Sequence, residues 1–430
     1  MHETIDLLVQ PLLDEGYMQC ASVGILYKEQ HTVFGYSDNA ANDAMMPNRD
    51  TLFEIGSITK LFTRLLLTDM VRDGVIALDD PLSKFLPTIQ ALGKGMKATM
   101  TIRHLADHTS GLPRDAKYPT TDLEKPFDHF TVQHLYAFLA DCELQTLPGK
   151  QYLYSNVGYG LLGHILEQAS GAEYYTLLKA RILQPLGMMD TVLLLNEEQR
   201  ARLAQGHSCD GHATPAWGWD DNCPLIACGC LKSSATDMLI FMHAWLSGQD
   251  SPLAQLGVSG DSILSGSGQT SGYHCFLSLD RARQLGVVVL ADTASLYVSE
   301  LGNAIVSWLK DDIVVPVTLL QRYTMPVAVH EDWLGDYAMP ANPAIPPGTI
   351  LEIRQVESAL TVAFHTDPST PAASVTLSPL SPTSFFMKGW DVEFAFEQGR
   401  LKMTPGNFSR AIFCGAMLLE RCEKETENES

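Results

Sequence analysis

From residue 58 onward, apolar side chains fall at Ile58, Leu61, Phe62, Leu65, Leu66 and Met70. This is close to the i, i+3, i+4, i+7, i+8 spacing of one buried helical stripe. At about 100° per residue, Ser57, Lys60 and Arg64 share a different face of that helix. Upstream, within residues 20–55, "ASVGILYKEQ" and "HTVFGYSD" are short β-prone runs with polar residues between them, and they read as a hairpin. Residues 74–240 alternate turn signals with helical stretches, among them "TIRHLADHTSGLP", "YSNVGYGLLGHILEQASG" and "SSATDMLIFMHAWLSG". From 262 to 309 strands return as "YHCFLSLD" and "LGVVVLADT", followed by the helical "ELGNAIVSWLK". Strands at both ends of residues 1–310 around a helical middle imply one antiparallel sheet built from chain-distant pieces.

Beyond about residue 320 the pattern changes. A Pro-rich "MPANPAIPPG" precedes short alternating runs, "TILEIRQV", "ALTVAFHT", "DVEFAFEQ" and "GRLKM", each bounded by turn residues. Period-two patterning of this kind predicts a separate antiparallel β domain, sheet or small barrel, over residues 319–430, after a first domain over 1–318. The chain of 430 residues suits more than one core. Its longest apolar stretch, "LGVVVLA" at 285–291, is a buried strand and falls far short of the roughly 18–20 residues of a membrane helix. No integral membrane segment is expected.

A formal net charge of −21 argues against nucleic acid as a partner and leaves a small-molecule acyl substrate or a peptide. Nine cysteines without regular spacing fit a reducing compartment better than a disulfide framework. Cys223, Cys228 and Cys230 lack both a C-x-x-C pair and a histidine pair, so no metal is assigned. The acidic N-terminus does not resemble a secretory signal, which places the chain as given in the cytoplasm, or outside it if an export signal has been removed. No P-loop, Rossmann glycine pattern, H-E-x-x-H or G-x-S-x-G occurs, and no cofactor is expected.

Three residues apart on a helix, Ser57 and Lys60 bring a hydroxyl and an amine within reach of each other. A serine hydroxyl needs a base, and a lysine serves as one when burial or nearby positive charge favours its neutral form. The same spacing recurs at Ser307–Lys310, so the pair alone decides nothing. Tyr154 and Asn156, in "YSN", add a phenol able to relay a proton and an amide able to bond a carbonyl; Asn156 would also serve as a helix cap.

Together "SITK", "YSN", "HTSGLP", "ACGCLKSSATDM" and "GSGQTSGYHCFLSLDRARQLGVVVLAD" resemble, in order and over about residues 15–310, the class C β-lactamase and penicillin-binding-protein-like serine hydrolases. That family includes β-lactamases, D-alanyl-D-alanine carboxypeptidases, D-aminopeptidases and carboxylesterases acting through a serine acyl-enzyme. The resemblance implies an α+β fold: an antiparallel sheet flanked by helices with an all-helical lobe. It also implies roles for Ser57 as nucleophile, Lys60 as its base, Tyr154 as proton relay and Asn156 as substrate-orienting amide. The backbone N–H groups of Ser57 and Gln269 would form the oxyanion hole, and Gly266, Ser267, Gly268 and Thr270 the substrate-binding strand. His108–Pro113 would be a structural turn and Gly229 part of the site wall.

One departure bears on substrate. Aligned on Thr270, Gly272 and Tyr273, the chain has Gly266 where the family carries a lysine or histidine, and residues 260–273 contain no cation. Backbone oxyanion donors survive this loss, whereas recognition of a free carboxylate weakens. The expectation is a hydrolase of small esters, amides or D-amino-acid peptides with weak β-lactam activity, unless Lys150 or Lys232 replaces the cation. The alternative is a weak or inactive relative used for binding or scaffolding.

Overall fold

The computed structural model describes the chain apart from residues 29, 39–45, 87–98, 117–126, 128, 221, 248–262, 321–326, 342–344, 346–347, 366–373, 391, 398–399, 406–415 and 423–430. The chain divides into two compact units, with the boundary between Val317 and Thr318. Among the described residues no helix is long and apolar enough to cross a membrane.

The first unit is built on a five-stranded antiparallel sheet in the order β2-β1-β9-β8-β7. The hairpin β1 (Cys20–Tyr27) and β2 (Gln30–Ser37) supplies one edge, and β7 (Ile263–Gln269), β8 (His274–Asp280) and β9 (Leu285–Ala291) supply the rest. Chain-distant pieces meet where β1 pairs with β9, Val23 opposite Val289. Every residue of β8 and β9 is buried, because both faces are covered. On one face Gly24 leaves room for Leu239 of the helix Ala235–Leu246; on the other, Phe276 packs where Gly302 of the helix Tyr297–Asp311 has no side chain. Successive side chains alternate across a strand, which puts these two helices on opposite faces.

Two short strands prepare the site. β3 (Leu52–Glu54) pairs with β6 (Lys232–Ser234), setting Glu54 opposite Lys232. A second short pair, β4 (Gly206–His207) and β5 (Ala213–Thr214), lies against the β7–β8 turn, where the His207 N–H donates to the Gly272 carbonyl. After β3 the chain enters a 3₁₀ turn, Gly56–Ile58, and continues as the helix Thr59–Arg72.

That helix is buried on more than its apolar stripe: Thr59, Lys60, Thr63 and Asp69 are buried as well. The pattern of apolar positions predicts a polar outer face, but further chain packs over it. Each buried polar group is satisfied, as burial without a partner is costly. Thr59 Oγ1 accepts from Leu231 N at 3.2 Å, Thr63 Oγ1 meets Tyr174 Oη and donates to Ala227 O, both at 2.7 Å, and Asp69 is held by Arg72 and Arg181.

The second unit is a closed antiparallel barrel of β10 (Gly335–Ala338), β11 (Ile350–Val356), β12 (Ala359–His365), β13 (Ser374–Pro379), β14 (Ser384–Met387), β15 (Val392–Glu397), β16 (Arg400–Pro405) and β17 (Met417–Arg421). Each strand pairs with the next, and Tyr337 opposite Arg421 closes the ring, which removes free sheet edges. Alternate residues such as Leu351, Ile353, Phe394, Phe396, Leu401 and Met403 are buried, and Trp333 stacks on Phe396 at 4.7 Å.

Candidate active site

Ser57, Lys60, Tyr154 and Asn156 come together. Ser57 sits in the 3₁₀ turn, and Lys60 one turn on donates from Nζ to Ser57 Oγ at 3.0 Å. Tyr154, from the segment before the helix Asn156–Ser170, donates from its hydroxyl to the same Oγ at 2.6 Å. Two proton-carrying groups thus converge on one alcohol. Lys60 Nζ also donates to Asn156 Oδ1 at 2.8 Å and to Cys228 O at 2.6 Å, so a neutral amine can keep these two bonds and turn its lone pair to the Ser57 hydroxyl. The amine is buried at 6% exposure and lies 4.8 Å from the Tyr154 ring centroid. In contrast, the second S-x-x-K pair is not assembled: Ser307 is exposed, and Lys310 reaches 3.2 Å to Asp280.

The 3₁₀ turn and β7 touch backbone to backbone. Gly56 has φ +47°, and a Cβ there would stand 2.7 Å from Gln269 N; a Cβ on Gly268 would stand 2.8 Å from Ser57 N. Only glycine allows this approach, and it brings the Ser57 and Gln269 amide nitrogens to the same narrow gap. Gly229 lies behind Gly56, its Cβ position 3.8 Å from the Gly56 carbonyl carbon.

His108, in the "HTSGLP" turn, holds the phenol. Its backbone is left-handed at φ +55°, its Nδ1 accepts from Ser155 N at 3.0 Å, and its ring stacks on Tyr154 with centroids 4.5 Å apart. Burial, assisted by Lys60, Arg64 and Arg114, pushes its pKa down to about 3, which keeps the imidazole neutral and Nδ1 an acceptor.

The substrate-binding strand needs adjustment. It runs from Ile263 to Gln269, so it begins upstream of Gly266 and ends before Thr270. Gly266 and Gly268 share the face that looks toward Ser57, and nothing lies within 4 Å of a Cβ at 266. Ser267, on the opposite face, is exposed. Thr270 is a correction: its hydroxyl is fully buried beside the Glu54 carboxylate and is not presented to a cleft. Burial raises the Glu54 pKa, against the pull of Lys232 and Thr270.

Lys232 does not replace the missing cation. It is buried, donates to Leu193 O at 3.2 Å and Cys230 O at 3.4 Å, and stands 3.8 Å from Glu54. Lys150 is exposed on a turn. The cation beside the site is one that sequence reasoning missed: the Arg114 guanidinium lies 5.0 Å from the Tyr154 ring centroid, next to Asp115, which accepts from Asn156 Nδ2 at 2.6 Å. The only signal was position, directly after the "HTSGLP" turn. Also missed was an aromatic group past the end of β7, where Trp217 donates to Ser271 Oγ at 2.6 Å and Phe127 stacks on Trp219 at 4.6 Å.

Residues 5–306 match the family model described as Beta-lactamase. The chain belongs to the beta-lactamase family. Within that family it is 31% identical over 219 residues to the D-alanyl-D-alanine-carboxypeptidase/endopeptidase AmpH of Escherichia coli, covering 51% of this chain and 55% of that protein. It is 30% identical over 214 residues to a beta-lactamase of Pseudomonas fluorescens, covering 49% and 56%. The chain thus spans about half the length of the curated relatives it matches. Among solved structures, a class C beta-lactamase superposes with a TM-score of 0.61 at 20% identity, over 72% of this chain and 96% of that one, which shows the fold. The helices, the antiparallel sheet and the additional C-terminal barrel agree with the fold class expected from the sequence.

Proposed function

We propose that this beta-lactamase-family chain is a serine hydrolase that works through an acyl-enzyme on small neutral esters or amides, with Ser57 as nucleophile. The observation that carries the reading is the convergence of Lys60 Nζ and Tyr154 Oη on Ser57 Oγ, at 3.0 and 2.6 Å. Lys60, in its neutral form, takes the Ser57 proton as Oγ bonds to the acyl carbon. The developing oxyanion is held by the Ser57 and Gln269 N–H groups across the glycine-lined gap. As the tetrahedral species collapses, Tyr154 delivers a proton to the leaving group. Water then attacks the acyl-serine with the same groups in reversed roles, releasing the acid and restoring the Ser57 hydroxyl.

The open space at Gly266 supports weak handling of substrates that rely on a free carboxylate, β-lactams and D-Ala-D-Ala peptides among them. The relatives' names point the other way, to carboxypeptidase and beta-lactamase activities, so substrate class is the part to measure. A panel of p-nitrophenyl esters against nitrocefin separates the two, and efficient nitrocefin turnover with negligible esterase activity reverses the preference. A fluorophosphonate or penicillin probe tests the chemistry itself. Labelling that is lost in Ser57→Ala and kept in Ser307→Ala is expected, whereas no labelling by any acylating probe favours a binding or scaffolding role.

A further inference from the structure

Two cationic side chains flank the Tyr154 ring. Lys60 Nζ lies 4.8 Å from its centroid and the Arg114 guanidinium 5.0 Å, while His108 stacks on it as a neutral imidazole. Lys60 also bonds Ser57, Asn156 and Cys228, so its place is explained without the ring. Arg114 has no such explanation. Its side chain is half exposed, and its Nε stands 3.5 Å from the exposed Asp115 carboxylate, which accepts from Asn156 Nδ2. Among the described residues neither of its terminal nitrogens donates a hydrogen bond.

Backbone bonds fix the root of this side chain. Arg114 O accepts from Asn156 N at 2.7 Å and from Val157 N at 3.3 Å, and Ser155 Oγ donates to Pro113 O at 2.6 Å. The 113–115 turn is thereby fastened to the first turn of the helix Asn156–Ser170, directly after Tyr154. A cation over an aromatic ring is drawn to the ring's electrons, and a full negative charge on a phenolate adds a Coulombic attraction.

In the acyl-enzyme reaction, the bond from the acyl carbon to the leaving oxygen or nitrogen breaks and the Tyr154 proton moves to that atom. The phenol is then a phenolate, and Lys60 carries the proton taken from Ser57, so charge balances. In deacylation the phenolate takes a proton from the attacking water and Lys60 returns one to Ser57 Oγ. A leaving group that departs readily as an anion does not need the Tyr154 proton.

We propose that Arg114 is a positioning residue that acts through Tyr154: its guanidinium stabilises the charge the phenol acquires as it protonates the leaving group, and so extends hydrolysis to esters and amides with poor leaving groups. This rests on the acyl-enzyme reading of Ser57. It concerns the group that departs, whereas the open position at Gly266 concerns a carboxylate.

Three neutral acetate esters test it, p-nitrophenyl, phenyl and ethyl, in order of worsening leaving group. None is charged, so losing the arginine leaves their attraction to the site unaltered, and the backbone bonds of residue 114 survive the change. With rates taken above the Ser57→Ala background, kcat/KM reports acylation. Arg114→Gln lowers it about fivefold for ethyl acetate, the worth of one partly exposed cation over a ring, less for phenyl acetate, and less than twofold for p-nitrophenyl acetate. In a Tyr154→Phe background the same substitution adds no dependence on leaving group, because the phenol through which it acts is gone. A loss equal across the three esters, no loss at all, or a graded loss that persists in Tyr154→Phe overturns the role of Arg114 and leaves the acyl-enzyme standing. Wild-type rates no higher than the Ser57→Ala background on all three esters overturn the acyl-enzyme reading, and this inference with it.

Discussion

Gly268 lies so close to Ser57 that a Cβ at 268 would stand 2.8 Å from the Ser57 nitrogen and would overlap the Ile55 carbonyl oxygen. Gly268→Ala must push β7 away from the 3₁₀ turn and spoil the shared gap of amide donors. Loss of one oxyanion donor costs about a hundredfold in kcat, and that is the expected fall in ester hydrolysis. Overpacking should cost about 1–3 kcal/mol of stability as well, read by chemical denaturation. Near-wild-type kcat in a folded Gly268→Ala enzyme would show that this gap does not hold the oxyanion.

His108 positions Tyr154 without touching Ser57. Asparagine tolerates the left-handed backbone at φ +55° and can still accept from Ser155 N, whereas phenylalanine keeps the ring but not the acceptor. His108→Phe should lower kcat roughly tenfold or more through a misplaced phenol, with His108→Asn recovering part of it. Steady-state kinetics on one neutral ester check both. A larger loss in His108→Asn than in His108→Phe would assign the effect to the ring stack and not to the Ser155 contact.

Acid stability follows from buried histidines. Burial pushes both His108 and His274 down to about 3. His274 is enclosed, with Nε2 2.7 Å from Ser299 Oγ and Nδ1 3.1 Å from Gln269 Oε1. A histidine with a folded-state pKa below the unfolded value binds fewer protons when folded. Its contribution is therefore complete above about pH 6.5 and is lost as pH falls toward about 3. Each such group is worth on the order of a few kcal/mol. The stability of wild type relative to His274→Asn should decline as pH is lowered through that window, measured by denaturant melts at several pH values. A difference independent of pH would show that His274 is not held neutral.

The parts of the site that rest on short-range spacing were legible in the sequence. Ser57 and Lys60 meet because one helical turn brings them together, and Tyr154 joins them through a motif whose order along the chain suggested the fold. What was not legible depends on distant packing. Arg114 and Asp115 reach Tyr154 and Asn156 because helix N–H groups some forty residues later capture the 113–115 turn. Lys232 looked free as a sequence residue, but strand pairing sets it against Glu54 in the interior. Apolar spacing in the helix Thr59–Arg72 marks one buried stripe, and only tertiary contacts reveal Thr63 and Asp69 as buried and bonded. The full length of β7 is not legible because its "SGSG" core carries little β propensity; its strand character comes from pairing with β8, Gly266 opposite Leu277.

Gly266 offers the most direct test of substrate preference. It stands on an ordinary extended strand, on the same face as Gly268, with nothing within 4 Å of a Cβ. Gly266→Lys should therefore fold without a steric penalty and place an ammonium on the strand face that looks toward Ser57. A partly exposed charge pair is worth about 1 kcal/mol, so kcat/KM for a carboxylate-bearing substrate such as nitrocefin should rise about fivefold, while that for p-nitrophenyl acetate stays nearly constant. The gain should shrink as salt is raised, since screening weakens an exposed pair. A uniform change in both substrates, or a gain insensitive to ionic strength, would show that the lysine acts on the shape of the strand and that the empty position at 266 does not set the preference against carboxylates.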